Sequence, residues 1–138
     1  MPRILAIDYG GKRTGLAVTD PLQIIATGLQ TIETGKLLAF LKDYVKKEDV
    51  ALVLIGMPTN WDDSDTHATG AVRKFIELFK KQFPATPIQE VDERYTSRMA
   101  SQAISQMGLK KKRREQKGLI DEVAATIMLQ EYLQSKSF

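Results

Sequence analysis

The first third of the chain holds three strand-like runs with no room for a crossover between them. Residues 3–9 read RILAIDY, residues 14–20 TGLAVTD and residues 24–32 IIATGLQTI. A Gly-rich turn, Gly10 to Arg13, separates the first two, and a turn opening at Asp20-Pro21 separates the next two. A parallel connection needs about a dozen residues or more, so these runs form an antiparallel meander. The period then changes. Leu37, Leu38, Leu41, Tyr44 and Val45 share one helical face. DVALVLIGMP, 49–58, is nearly all apolar, as a strand buried on both faces of a parallel sheet must be. A polar loop, 59–70, offers Asp65 or Thr66 as a helix cap. Val72, Phe75, Ile76, Phe79 and Phe83 then trace a second helix, closed by Pro84 and Pro87. IQEVDER, 88–94, is a fifth strand, and Thr96 or Ser97 caps a helix running to Met107-Gly108. A last helix, 118–133, carries Ile120, Val123, Ala124, Ile127 and Tyr132 as its apolar positions. The order βββαβαβαα predicts an α/β fold. It gives a five-stranded mixed sheet, three strands antiparallel and then two parallel, with helices on both faces. Without repeats or a linker, residues 1–138 are expected to form one domain.

Composition narrows the chemistry. The chain has no cysteine, so any metal site is built from oxygen ligands or the single His67. A polar loop beside a helix start makes His67 a cap or an exposed residue rather than a ligand. No apolar run approaches a membrane span and no signal sequence is visible, so the expectation is a soluble, cytoplasmic protein. The net charge of +3 is unevenly spread. The segment KKKRREQK holds six bases, Lys110, Lys111, Lys112, Arg113, Arg114 and Lys117, against one acid. A slightly acidic body with one dense basic run points to a polyanion partner such as nucleic acid, the alternative being a solvated loop.

In a sheet of this kind, ligands bind where strand ends and loops meet. Asp8 ends the first strand, Asp92 and Glu93 end the fifth, and Asp121 lies in the first turns of the last helix. At about 100° per residue, Asp121 sits beside the stripe of Ile120, Ala124 and Met128, while Glu122 points to solvent. Asp92 and Glu93 alternate across the sheet, so only one can enter a given cleft; Glu93 is favoured. Taken singly, each acid suits a cap or a salt bridge. Taken together they would repel one another strongly, and a hard cation, Mg²⁺ or Mn²⁺, relieves that repulsion. Asp8, Glu93 and Asp121 are therefore the candidate metal and catalytic set. Such a site activates water against a phosphodiester.

The turn after Asp8 fits this reading. Gly10 and Gly11 keep side chains away from the carboxylate and permit positive φ, and backbone N–H groups there can approach a phosphate. Lys12 and Arg13 add positive charge, and Arg94 can clamp a phosphate or pair with Asp92 or Asp8. The same residues also make an ordinary hairpin turn. Asn60 is a candidate for the cleft lining. Trp61 either covers the edge of the core or stacks on a base.

Four blocks, DYGGKRTGLAVTD, LIGMP, VDERYTS and KGLIDEVAATIMLQEYL, resemble in order and spacing those of the YqgF/RuvX family. These are bacterial RNase H-like proteins named as Holliday-junction resolvases and as nucleases that mature the 5′ end of the small-subunit ribosomal RNA precursor. The resemblance covers nearly the whole chain. It implies an RNase H-like fold, a metal-dependent nuclease, and a catalytic acid set placed here on Asp8, Glu93 and Asp121. The fourth strand ends IGMP, without the acid that many RNase H-like nucleases carry there. Nothing in the sequence specifies a dimer, and a homodimer stays open. Two other readings compete with RNA processing and junction resolution. One is a non-catalytic RNA-binding factor on the same fold. The other is a nucleotide-binding ATPase, suggested by the likeness of DYGGKRTG to the phosphate loop of the actin and sugar-kinase superfamily, which needs two domains.

Overall fold

The computed structural model describes residues 2–57, 67–92 and 117–136. Ile4, Leu5, Ala6 and Ile7 are all buried. A strand with no solvent face must lie inside a sheet covered on both sides. That strand is β1 (Arg3–Asp8). It is followed by β2 (Arg13–Thr19), β3 (Ala26–Glu33), a short 3₁₀ turn (Thr34–Lys36) and α1 (Leu37–Lys47). Then come β4 (Val50–Met57), α2 (His67–Gln82), β5 (Ile88–Asp92) and α3 (Lys117–Lys136).

The strands form one sheet in the order β3-β2-β1-β4-β5. β1 pairs antiparallel with β2, as β2 does with β3, while β4 runs parallel to β1 and β5 parallel to β4. This is the sheet expected from the sequence, with β1 at its centre.

Strand alternation divides the core in two. Leu5, Ile7, Leu16, Val53 and Ile55 face α1 and α2, meeting Leu37, Leu41, Val72, Phe75 and Phe79. Ile4, Ala6, Ala17 and Leu54 face the other way and meet Ala125 and Leu129 of α3. Alanines on both sides of that second interface let α3 approach the sheet closely. The helix lies mainly across β1, β2 and β3.

Two expectations shift. β3 begins at Ala26 and not at Ile24, because the Asp20 carboxylate accepts the N–H groups of Leu22, Ile24 and Ile25 at 3.2, 2.8 and 2.7 Å. Those bonds hold residues 20–25 as a closed loop with Gln23 at φ 59°, and Ile24 and Ile25 stand exposed. α2 begins at His67, directly after the expected cap Thr66, so the polar loop ends before Gly70. The expected helix near 97–107 and the basic run before Lys117 lie outside the described residues. Among the described residues, no helix is long and apolar enough to cross a membrane.

Candidate active site

Asp8 is the last residue of the central strand and is half-buried. Its even number places it with Ile4 and Ala6, on the α3 side of the sheet. Its partner on β2 is Gly15. On the other side, Ile7 pairs with Ile55, so the next residue of β4, Gly56, runs alongside Asp8. Beyond them stand Thr31 on β3, paired with Gly15, and Val91 on β5, paired with Gly56. On this face, neither neighbouring strand sets a side chain beside the carboxylate. A glycine inside a strand weakens the strand and often marks a close approach by a ligand. Here two glycines flank one acid.

The turn beyond Asp8 is held by a small ring of hydrogen bonds. Thr34 Oγ1 donates to the Gly10 carbonyl at 2.6 Å. With that hydroxyl proton committed, the 2.9 Å contact between the two threonine hydroxyls has Thr14 donating to Thr34. Thr14 Oγ1 in turn accepts the Gly10 N–H at 3.5 Å. The Thr34 N–H also reaches the Lys12 carbonyl at 3.0 Å. Buried Thr14 and the 3₁₀ turn thus fix the loop from behind and leave Gly11, Lys12 and Arg13 exposed. Positive φ is not what the glycines supply, since neither Gly10 nor Gly11 adopts it. Gly10 is required because a Cβ there would run into the Arg13 carbonyl oxygen, whereas a Cβ on Gly11 meets nothing within 4 Å.

Asp92 closes β5 opposite Met57. Glu93, Arg94, Asn60, Trp61, Lys110, Lys111, Lys112, Arg113 and Arg114 lie outside the described residues. Lys117 opens α3 and His67 opens α2. Asp121 falls in the first turns of α3, and its side chain is not among those described. Among the described side chains of α3, Ala124, Ala125, Met128 and Leu129 are buried. Among the described residues, no three of His, Asp and Glu gather in one place, and Asp8 is the member of the expected set whose side chain is described. The titration shifts lie elsewhere. Backbone N–H groups, that of Ile25 foremost, hold Asp20 below the usual carboxylate range. Burial pushes the Tyr44 phenol up.

The family model described as "RuvX: Holliday junction resolvase" matches residues 2–135. A protein of Flavobacterium psychrophilum named "Putative pre-16S rRNA nuclease" is 54% identical over 136 residues, 99% of each chain. One of the same name from Flavobacterium johnsoniae is 54% identical over 138 residues, the full length of both. The chain belongs to the RuvX family. Its fold is also that of a RuvC from T. thermophilus solved with a Holliday junction substrate. The TM-score is 0.59 at 16% identity, over 99% of this chain and 96% of that one.

Within this RuvX fold, sequence reasoning put Asp8 at the end of the first strand but missed its setting. Gly15 and Gly56 were visible as glycines inside apolar strands, a usable signal. Their flanking of one acid depends on strand order and register, which the sequence does not state. The Thr14–Thr34 ring gave no signal, since its residues are 20 positions apart.

Proposed function

We propose that this chain is a metal-dependent nuclease that hydrolyses phosphodiester bonds in structured nucleic acid. Its substrate on this reading is the 5′ region of the small-subunit ribosomal RNA precursor. The observation that carries the reading is Asp8, ending the central strand between Gly15 and Gly56 in a RuvX-family fold. The names borne by relatives at about half identity favour RNA processing.

Asp8, Glu93 and Asp121 would hold Mg²⁺ or Mn²⁺. The donor chemistry fits: the set is all oxygen, the chain has no cysteine, and the glycines beside Asp8 leave space for a hydrated hard ion. Once bound, such a cation supplies Lewis-acid activation of water and neutralises charge on the phosphate. Asp8 is positioned for this by a strand buried on both faces, so it keeps its place without help from the ligand. Val91 packs on the α3 side. Two further residues of extended chain would return to that side, which supports Glu93 over Asp92. The helix phase of the sequence, which sets Asp121 beside Ile120, Ala124 and Met128, favours Asp121 over Glu122. Lys12 and Arg13, exposed at the turn, would meet the phosphate backbone, with Arg94 and the run from Lys110 to Lys117 extending the contact. No base is read by such contacts, so substrate choice rests on shape.

The test is cleavage of a panel of ribosomal RNA precursors, duplex RNA and four-way DNA junctions with Mg²⁺ and with Mn²⁺. Precursor cleavage that needs the divalent ion and is lost in Asp8→Asn is expected. Undiminished cleavage by Asp8→Asn overturns the reading. The description of the matching family favours a second substrate, branched DNA, and preferential cleavage of the junctions would establish it instead.

A further inference from the structure

Tyr9 follows Asp8 directly but points to the opposite side of the sheet, where its ring meets that of Phe75 with centroids 5.2 Å apart. The two rings lie in the wall of a pocket of about 300 Å³ between the 3₁₀ turn, the start of α1 and the middle of α2. Gly35, Ala71 and Leu78 line its open side. Leu78 stands 47% exposed there, although large apolar side chains on an amphipathic helix normally turn inward. Lys74 is the charged residue among the described residues of the lining. Thr34, also in the lining, is bonded through its N–H to the Lys12 carbonyl, so the basic Gly-rich turn borders the same opening.

We infer that this pocket takes one unpaired nucleobase of the nucleic acid on which the site acts. An aromatic and apolar wall suits the flat face of a base, which stacks without regard to its identity. Lys74 on the pocket's rim suits the adjoining phosphate. The proximity to Asp8 sets the geometry. Consecutive Cα atoms lie about 3.8 Å apart, and alternation sends Asp8 and Tyr9 to opposite sides of the same strand end. A nucleic-acid strand crossing that end lays a phosphate beside Asp8 and a base, a nucleotide or so away, in the pocket. The substrate therefore carries a splayed nucleotide next to the scissile bond, as single-stranded or bulged RNA does. A continuous duplex offers none. This inference rests on the nuclease reading, but its test does not.

Two substitutions fill the pocket without touching the acid set. A Cβ on Gly35 meets nothing within 4 Å and needs no unusual φ, so Gly35→Leu is tolerated by the fold. Ala71→Leu lies on an exposed helix position. Amide shifts of the full chain are followed by NMR during titration with adenosine monophosphate and with ribose 5-phosphate, which lacks the base. The nucleotide is expected to move the amides of Gly35, Ala71 and Lys74 and the sugar phosphate to leave them, with both leucine variants abolishing the response. In a second arm, RNA with one unpaired purine is expected to bind about tenfold more tightly than its fully paired counterpart, and either leucine variant to lose that preference while keeping duplex binding. Equal responses to the two small ligands overturn the pocket's assignment to a base. Blocked nucleotide binding with an intact preference for unpaired RNA overturns its role in the substrate. Asp8→Asn separates the two readings: it is expected to retain every pocket response while losing cleavage. A wild-type chain that shows the pocket responses but cleaves nothing removes the nuclease reading and leaves the pocket.

Discussion

Asp8 ends the central strand between Gly15 and Gly56, a place that would suit a cation. Replacing it with Asn keeps the shape and removes a ligand charge. Metal-dependent cleavage is expected to vanish in Asp8→Asn, while the melting temperature without metal stays level or rises as carboxylate repulsion is relieved. A fall in melting temperature would mean that the acid serves the fold. The two glycines that follow make a sharper contrast. Ala at position 10 must push against the Arg13 carbonyl, in a turn that the Thr34 and Thr14 hydroxyls hold through the Gly10 carbonyl and N–H. Gly10→Ala is expected to cost about 1–3 kcal/mol, the range of other overpacked sites. Gly11→Ala meets open space and should stay within about 0.5 kcal/mol of the parent. Urea midpoints for the pair decide it, and equal midpoints would remove the steric account of Gly10. Asp20 supplies the pH dependence. Its folded pKa is held below the ordinary 3.8, chiefly by the Ile25 N–H. Its stabilisation is therefore fully present above the unfolded value and is lost as the pH falls through the folded one. Asp20→Ala should lower the urea midpoint at pH 7 and narrow its gap to the parent below pH 3.8. A gap independent of pH would show that the loop is held by something else.

At the scale of strand and helix, phase decides which of two neighbouring acids counts. Glu93→Gln should impair cleavage far more than Asp92→Asn, and Asp121→Asn far more than Glu122→Gln, in assays at saturating Mg²⁺. Equal losses within either pair would show the facing to be wrong even if the site is right. Ile120, Ala124 and Met128 form a plausible stripe in the sequence. The buried positions also take in Ala125 and Leu129. Alanine carries almost no hydropathic signal, so a close helix–sheet contact built on Ala6, Ala17 and Ala125 is hard to phase from sequence. The sheet was far easier to read. Apolar runs of strand length, short turns and two helix-period stretches admit few topologies, and the observed strand order is among them. What escaped was local. Ile24 and Ile25 look like strand residues by composition, yet Asp20 captures their N–H groups before a strand partner can. Propensity there lost to a side-chain capture that only the folded loop reveals.

For the molecule as a whole, the distribution of charge matters more than its total. The six bases between Lys110 and Lys117 leave the remainder of the chain slightly acidic, so a polyanion would be drawn to one region of the sequence. That region directly precedes α3, the helix that carries Asp121, and Lys117 is its first residue. Binding to the run would therefore bring phosphate to the threshold of the acid set. Each phosphate neutralised contributes roughly 0.9 to the log–log salt slope on duplex DNA and about 0.7 on single strands. With about half of the six bases engaged, changing all six to Gln should flatten the slope by roughly two to three units. Affinity should fall alike for unrelated sequences, because phosphate contacts position a ligand without reading it. The preference for an unpaired base should survive, since the pocket beside Tyr9 lies on the opposite face of the sheet from α3. Divalent-ion binding by the acid set should survive as well. An unchanged salt slope would assign the backbone contact to Lys12, Arg13 and Arg94, and the same measurement on a variant with those three replaced would then have to show the missing units.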